Sequence, residues 1–150
     1  VTPTFVFRSL HGEALPLDVC FVLRDGSDVT LVTWGSQVKE TLEAAEALEK
    51  QGISAEVIDV ATIKPLDFDT IHESVKKTGR CVIVHEAPRT AGFGAEIAAQ
   101  LAEKAMFDLV APVERVTGFD THIPLFRLEM KYLPSVEKII AAVKCTLAVS

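Results

Sequence analysis

Apolar and polar positions along the chain fall into two alternating patterns. The first is a short β-branched run, which recurs as Val29-Thr30-Leu31-Val32-Thr33, Ala55-Glu56-Val57-Ile58-Asp59-Val60, Cys81-Val82-Ile83-Val84 and Val113-Glu114-Arg115-Val116. Runs of this length and composition predict strands. The second is a helical spacing between those runs. Residues 37–51 place Val38, Leu42, Ala45 and Leu48 on one face, with Gly52 as the stop. After Pro65, Asp67 is a good N-cap for a helix carrying Phe68, Ile71 and Val75, which Gly79 ends. Residues 94–105 turn Ile97, Leu101 and Ala105 inward. Pro134 fits the first turn of a last helix with Val136, Ile139, Ile140, Val143 and Leu147. Residues 1–28, punctuated by Pro3, Gly12, Pro16 and Gly26, read as irregular. Segment 117–133 shows no clear helix and several aromatics, and reads as a long excursion.

Strands alternating with helices of about three turns imply an α/β domain with a mostly parallel central sheet. Right-handed crossovers then place helices on both faces, giving a three-layer sandwich. The expected organisation is a linker or irregular N-terminal arm over 1–25 and one folded domain over 26–150. The composition agrees with strands covered on both faces: 49 % of the 150 residues are hydrophobic and the mean hydropathy is +0.29. With a charged fraction of 24 % beside that hydrophobic content, disorder is ruled out, and no apolar run approaches the ~20 residues of a membrane helix. The net charge of −6 argues against a general nucleic-acid surface. Cys20, Cys81 and Cys145 are too far apart for a disulfide framework or a zinc site, and suit a reducing compartment. Cys81, opening an apolar run, reads as a small hydrophobe rather than a nucleophile. The N-terminus lacks the basic and apolar regions of a signal peptide and begins with Val1, so the chain is expected to be a piece of a longer one.

Ligands of an open parallel sheet collect at the carboxyl ends of its strands. Three such ends carry chemistry: Trp34-Gly35-Ser36-Gln37, Thr62-Ile63-Lys64-Pro65-Leu66-Asp67, and the richest, His85 to Gly94. In the last, His85, Glu86, Arg89, Thr90, Gly92, Phe93 and Gly94 are the candidate site residues. His85 has the side chain for general acid or base work; a histidine hydrogen-bonded at a strand end or subunit contact is the favoured reading. Glycines before a helix receive anions, yet Gly92-Phe93-Gly94-Ala95-Glu96-Ile97 lacks the third glycine of a dinucleotide fingerprint. Arg89 stands where a zinc protease would need its second histidine, and neither a Gly-x-Ser-x-Gly elbow nor a P-loop is present. His72 reads as a surface residue, and Glu46 with Lys50 as a solvated i,i+4 pair. The residues alone therefore describe an α/β domain without a self-contained catalytic set.

Taken in order, four segments form a specific series. They are Gly26 to Gln37, Glu56 to Asp67, Val84 to Ile97 and Ala111 to Thr121. The series resembles the C-terminal, transketolase-like domain of the β subunit of thiamine-dependent 2-oxo acid dehydrogenases, over about residues 25–147. Residues 1–25 fit that family poorly. The resemblance implies an assembly of two α and two β subunits that decarboxylates a 2-oxo acid and passes the acyl group to a lipoyl arm. It implies thiamine diphosphate and magnesium in the parent enzyme, between the α subunit and the β subunit's N-terminal domain, and no cofactor in this domain. The implied partners are a second β subunit, the α subunit and the subunit-binding domain of an acyltransferase, with no nucleic acid and no membrane. The implied location is the cytoplasm of a bacterium or the mitochondrial matrix of a eukaryote. Within this picture His85 to Gly94 is interface or pocket edge, and the isolated domain is inactive. Ala91 stands where many members of the family carry Gly. Trp34-Gly35-Ser36-Gln37 resembles the branched-chain (2-oxoisovalerate) enzymes more than the pyruvate enzymes. The competing readings are a free-standing nucleotide-binding domain, on Gly92-Phe93-Gly94, and a hydrolase using His85 and Glu86, for which no nucleophile is identified.

Overall fold

Leu31 lies between Val57 and Val82, and Val32 between Ile58 and Ile83, on neighbouring strands. Successive side chains of a strand point to opposite faces, so each of these rows belongs to a different face of one sheet. The computed structural model describes residues 16–149. Its strands are β1 (Phe21–Arg24), β2 (Val29–Thr33), β3 (Ala55–Asp59), β4 (Cys81–Pro88) and β5 (Glu114–Gly118). They assemble in the order β1-β3-β2-β4-β5, with β1 antiparallel and the others parallel. The helices are α1 (Gln37–Glu49), α2 (Phe68–Thr78), α3 (Phe93–Lys104), α4 (Glu129–Tyr132) and α5 (Val136–Leu147).

Two cores result, one on each face. The row of Val32, Ile58 and Ile83 packs under α2 and α3, against Ile71, Val75, Ile97 and Leu101. The row of Leu31, Val57 and Val82 packs under α1 and α5, against Ala45, Leu48, Ile139 and Val143. The three-layer α/β arrangement expected from the sequence is thus the one observed. Two sets of buried polar groups are paired within it. Thr30 meets the hydroxyls of Ser74 (2.6 Å) and Thr78 (2.8 Å), tying β2 to α2. Glu56, 2 % exposed, pairs with Lys77 and accepts from the Gly26 amide.

The helix ends follow local chemistry. Asp67 caps α2 by accepting from the Thr70 amide (3.2 Å), and Gly79 ends it at φ +70°. Gly52 has φ +78° but follows the α1 C-cap, Lys50, by two residues. Several expectations are corrected. Residues 21–24 form a strand although 1–28 read as irregular, so the packed unit takes in buried Cys20 and begins before residue 26. An edge strand needs one partner and one covered face, so it lacks the apolar run that marks a central strand. The remainder of that arm, 1–15, lies outside the described residues. β4 continues to Pro88, and an irregularity between Val84 and Pro88 in its pairing with β5 lets it do so. Segment 117–133 contains one short helix, α4. Pro134 precedes α5 rather than lying in its first turn, because Ser135 takes the cap position and accepts from the Lys138 amide.

Candidate functional site

From β2 the chain crosses to α1 on one face, and from β4 to α3 on the other. The carboxyl ends of β2 and β4 therefore flank the switch point where open α/β sheets usually hold a ligand. Here side chains of the protein fill it. The Trp34 ring, just after β2, stacks on His85 of β4 with centroids 5.1 Å apart and planes 9° from parallel. Phe93, the first residue of α3, meets Trp34 edge-on at 5.8 Å and 78°. Both are favourable aromatic geometries.

His85 is 1 % exposed, and within the described residues neither ring nitrogen has a hydrogen-bond partner. The expected hydrogen bond of a strand-end histidine is therefore absent, and ring stacking stands in its place. Burial, reinforced by the Arg115 charge, holds its pKa below the ordinary 6.5. It is a neutral core side chain. The two glycines around Phe93 are explained by it, together with the Pro88 carbonyl at Gly92. A Cβ on Gly94 would lie 2.5 Å from His85 Cδ2, and one on Gly92 would lie 2.7 Å from His85 Cε1. These glycines give room to an imidazole under the start of α3, which supplies a packing reason for a sequence that superficially resembles a phosphate loop.

The remaining candidates form a second group. Arg89 and Arg115 are reciprocal: each donates from Nη1 to the other's carbonyl oxygen, at 3.0 and 2.9 Å. The Thr90 amide and hydroxyl donate to the two Asp120 carboxylate oxygens at 2.8 and 2.7 Å. Those bonds, the hydroxyl's first, hold the Asp120 carboxyl below its usual range. Arg89, Arg115, Phe119, Asp120 and Lys138 line a cleft of about 420 Å³. Glu86 is exposed and joins neither group. Between the groups Ala91 sits at φ +60°, a region in which residues with a Cβ are strained and Gly is not. Six of the seven candidates are thus split into a buried aromatic plug and an anchored surface loop, with Glu86 outside both.

Other residues depart from expectation. His72 is not simply surface: its Nε2 lies 2.7 Å from Asp108 Oδ2, both half-buried. On α1 the ion pair joins Lys39 and Glu43 (3.9 Å) rather than Glu46 and Lys50. Burial pushes the Cys81 thiol up to about 12, and burial with Asp67 and Asp59 nearby does the same for Cys20. Neither is poised as a nucleophile. Asp59 escaped notice in the sequence, yet it shares the α1 face of β3 with Ala55 and Val57, so strand alternation alone marks it as a buried acid. Among the described residues no three His, Cys, Asp or Glu side chains cluster to hold a metal ion, and no helix is long and apolar enough to cross a membrane.

Comparison with known proteins gives a consistent set. The family model "Transketolase, C-terminal domain" matches residues 19–139, starting ahead of β1. Over 126 residues the chain is 50 % identical to the pyruvate dehydrogenase E1 component subunit beta of Staphylococcus epidermidis, covering 84 % of this chain and 39 % of that protein. Over 152 aligned positions it is 43 % identical to the mitochondrial 2-oxoisovalerate dehydrogenase subunit beta of Dictyostelium discoideum, covering 97 % of this chain and 41 % of that one. A solved split gene transketolase, described as an inactive β4 tetramer, superposes with TM-score 0.80 at 33 % identity, over 92 % of this chain and 44 % of that chain. A 2-oxoglutarate:ferredoxin oxidoreductase from Magnetococcus marinus shares the fold, with TM-score 0.57 at 15 % identity, over 86 % of this chain and 19 % of that chain. The chain spans about two-fifths of the length of the curated relatives it matches.

Proposed function

The chain belongs to the transketolase C-terminal domain family, and from that premise we propose that it serves as the structural and docking domain at the C-terminus of a 2-oxo acid dehydrogenase β subunit. The observation that carries this reading is the apolar excursion after β5. Phe119, Ile123, Leu125, Phe126 and Met130 are 58 to 94 % exposed within a dozen residues. Scattered apolar residues on a surface need no explanation, whereas a concentration of this kind marks a surface made to be covered. A second β subunit is the proposed cover. The α subunit and the subunit-binding domain of a lipoyl-bearing acyltransferase are the further partners of the assembly.

In this reading the whole enzyme decarboxylates a 2-oxo acid and delivers the acyl group to lipoyl, and this domain performs no chemical step. Thiamine diphosphate and magnesium belong between the α subunit and the β subunit's N-terminal domain. Glu86, Arg89 and Thr90 serve at the rim of an interface, while His85, Gly92, Phe93 and Gly94 set the loop that carries them. The location is bacterial cytoplasm or mitochondrial matrix. Trp34 to Gln37 favours a branched-chain substrate; the 50 % identity to a pyruvate dehydrogenase subunit supports pyruvate as the second reading.

Sedimentation velocity over a concentration series, with and without an acyltransferase subunit-binding domain, tests the proposal. The expected result is a reversible dimer that Phe126→Ser and Leu125→Ser weaken, and a complex with the added domain. A strict monomer at high concentration that ignores that domain would end the docking role.

A further inference from the structure

A second cleft, of about 570 Å³, opens beside the carboxyl ends of β2 and β3, where α1 begins. Its size is that of an ordinary small-molecule site. It is lined by three kinds of group. The first is Asp59, the last residue of β3, which is 5 % exposed and for whose carboxylate no hydrogen bond or ion pair is found within the described residues. A buried carboxylate in that condition is costly, and burial accordingly raises its pKa. The second is the start of α1, a helix of 13 residues. Ser36 makes no side-chain capping bond there, and Lys39 on the first turn reaches Glu43 only at 3.9 Å. The first amides of a helix lack intrahelical acceptors and carry partial positive charge; of those in α1, the Val38 amide already donates to the Gly35 carbonyl at 3.3 Å. The third is an apolar wall of Trp34, Val38, Val60 and Ile63.

The charge arrangement selects among ligands. A simple cation would suit Asp59 but meet Lys39 and the positive end of α1. A simple anion would suit those groups but meet Asp59. A molecule with both charges on one small apolar frame satisfies each. We propose that this cleft binds a free α-amino acid with an aliphatic side chain of about the size of valine or leucine. Its ammonium group lies against Asp59, its carboxylate against the α1 N-terminus and Lys39, and its side chain against Trp34, Val38 and Ile63. This site is separate from the interface proposed above and does not depend on it.

Calorimetry and amide chemical-shift mapping on the chain test the assignment with three probes. These are L-leucine, 3-methylbutylamine (the same frame without the carboxylate) and 4-methylpentanoate (without the ammonium). L-Leucine is expected to bind and to shift the amides of Gly35 to Lys39 and Asp59 to Ile63. Each single-charge probe is expected to bind at least about tenfold more weakly, a difference of roughly 1.4 kcal/mol. Asp59→Asn, close in shape, should weaken leucine by a similar factor, and Lys39→Ala by a smaller one. Thermal melting of both variants without ligand checks the fold, and Asp59→Asn should melt at or above the parent temperature. The proposal fails if leucine and valine leave the amides unmoved at about 10 mM, which corresponds to binding weaker than roughly −3 kcal/mol. It fails equally if the amine binds as tightly as leucine, or if correctly folded Asp59→Asn keeps full affinity.

Discussion

Replacing Gly94 with Ala adds a single methyl group at a place where the histidine plug has no slack. The new Cβ would stand 2.5 Å from His85 Cδ2 and 3.1 Å from Ile83 Cγ2, against an ordinary carbon separation of ~3.5–4.0 Å. The imidazole has little room to move: it is 1 % exposed, and Trp34 stacks on its face with centroids 5.1 Å apart. Overpacking of a filled core costs about 1–3 kcal/mol; a hard contact against a pinned ring with a tight one against Ile83 beside it belongs at the upper end. The helix propensity gained by Ala over Gly returns at most ~1 kcal/mol, less so near the start of a helix. The net expectation is a loss of about 2 kcal/mol, or roughly 4–8 °C in Tm for a domain of this length. Urea unfolding followed by circular dichroism measures it. A double-mutant cycle then separates the named contact from a general intolerance of the helix start. In a His85→Ala background the same methyl enters vacated space, so Gly94→Ala should cost nothing or restore stability, with a coupling of about 1–2 kcal/mol. If Gly94→Ala alone lies within about 0.5 kcal/mol of the parent, or the two losses simply add, the packing account of the Gly-Phe-Gly sequence is wrong.

Three further outcomes are expected. Ala91→Gly relieves a left-handed residue at φ +60° and should raise stability by about 0.5–1 kcal/mol in the same urea titration, once the extra freedom of the unfolded chain is subtracted. The pKa of His85 is lowered on folding, so the unfolded chain binds that proton first. Stability should therefore decline as pH falls through about 6.5 toward the folded value, by at most ~1.4 kcal/mol per pH unit, and His85→Gln should flatten that slope relative to the parent. Timed iodoacetamide labelling read by mass spectrometry should modify exposed Cys145 well before buried Cys20 and Cys81, whose thiols are both pushed up to about 12.

The central strands and the longer helices were legible because each buries a whole face or stripe and so writes its period into the residues. β1 was not, since Phe21-Val22-Leu23-Arg24 needs only β3 beside it and leaves Val22 47 % exposed. The candidate site was legible as a segment but not as a geometry. His85 continues the side of β4 that Cys81 and Ile83 occupy, beneath α3, while Arg89 and Thr90 lie past the irregularity and reach across to Arg115 and Asp120. Neighbours in sequence were therefore separated by the alternation of a strand and the turn after it. The partner that decides the environment of His85 is Trp34, some fifty positions earlier, and no local pattern links them. Asp59 is recoverable by strand alternation, because it shares a face of β3 with Ala55 and Val57.

The three-ring cluster also joins two connections that lie far apart in the chain. Trp34 sits in the link from β2 to α1, Phe93 begins α3, and both pack on the α2–α3 side of the sheet with their rings in contact. Aromatic packing of this density leaves little free volume, so the exit of β2 and the start of α3 share one anchor, and the crevice where other open α/β sheets take a ligand is stoppered by the chain's own rings.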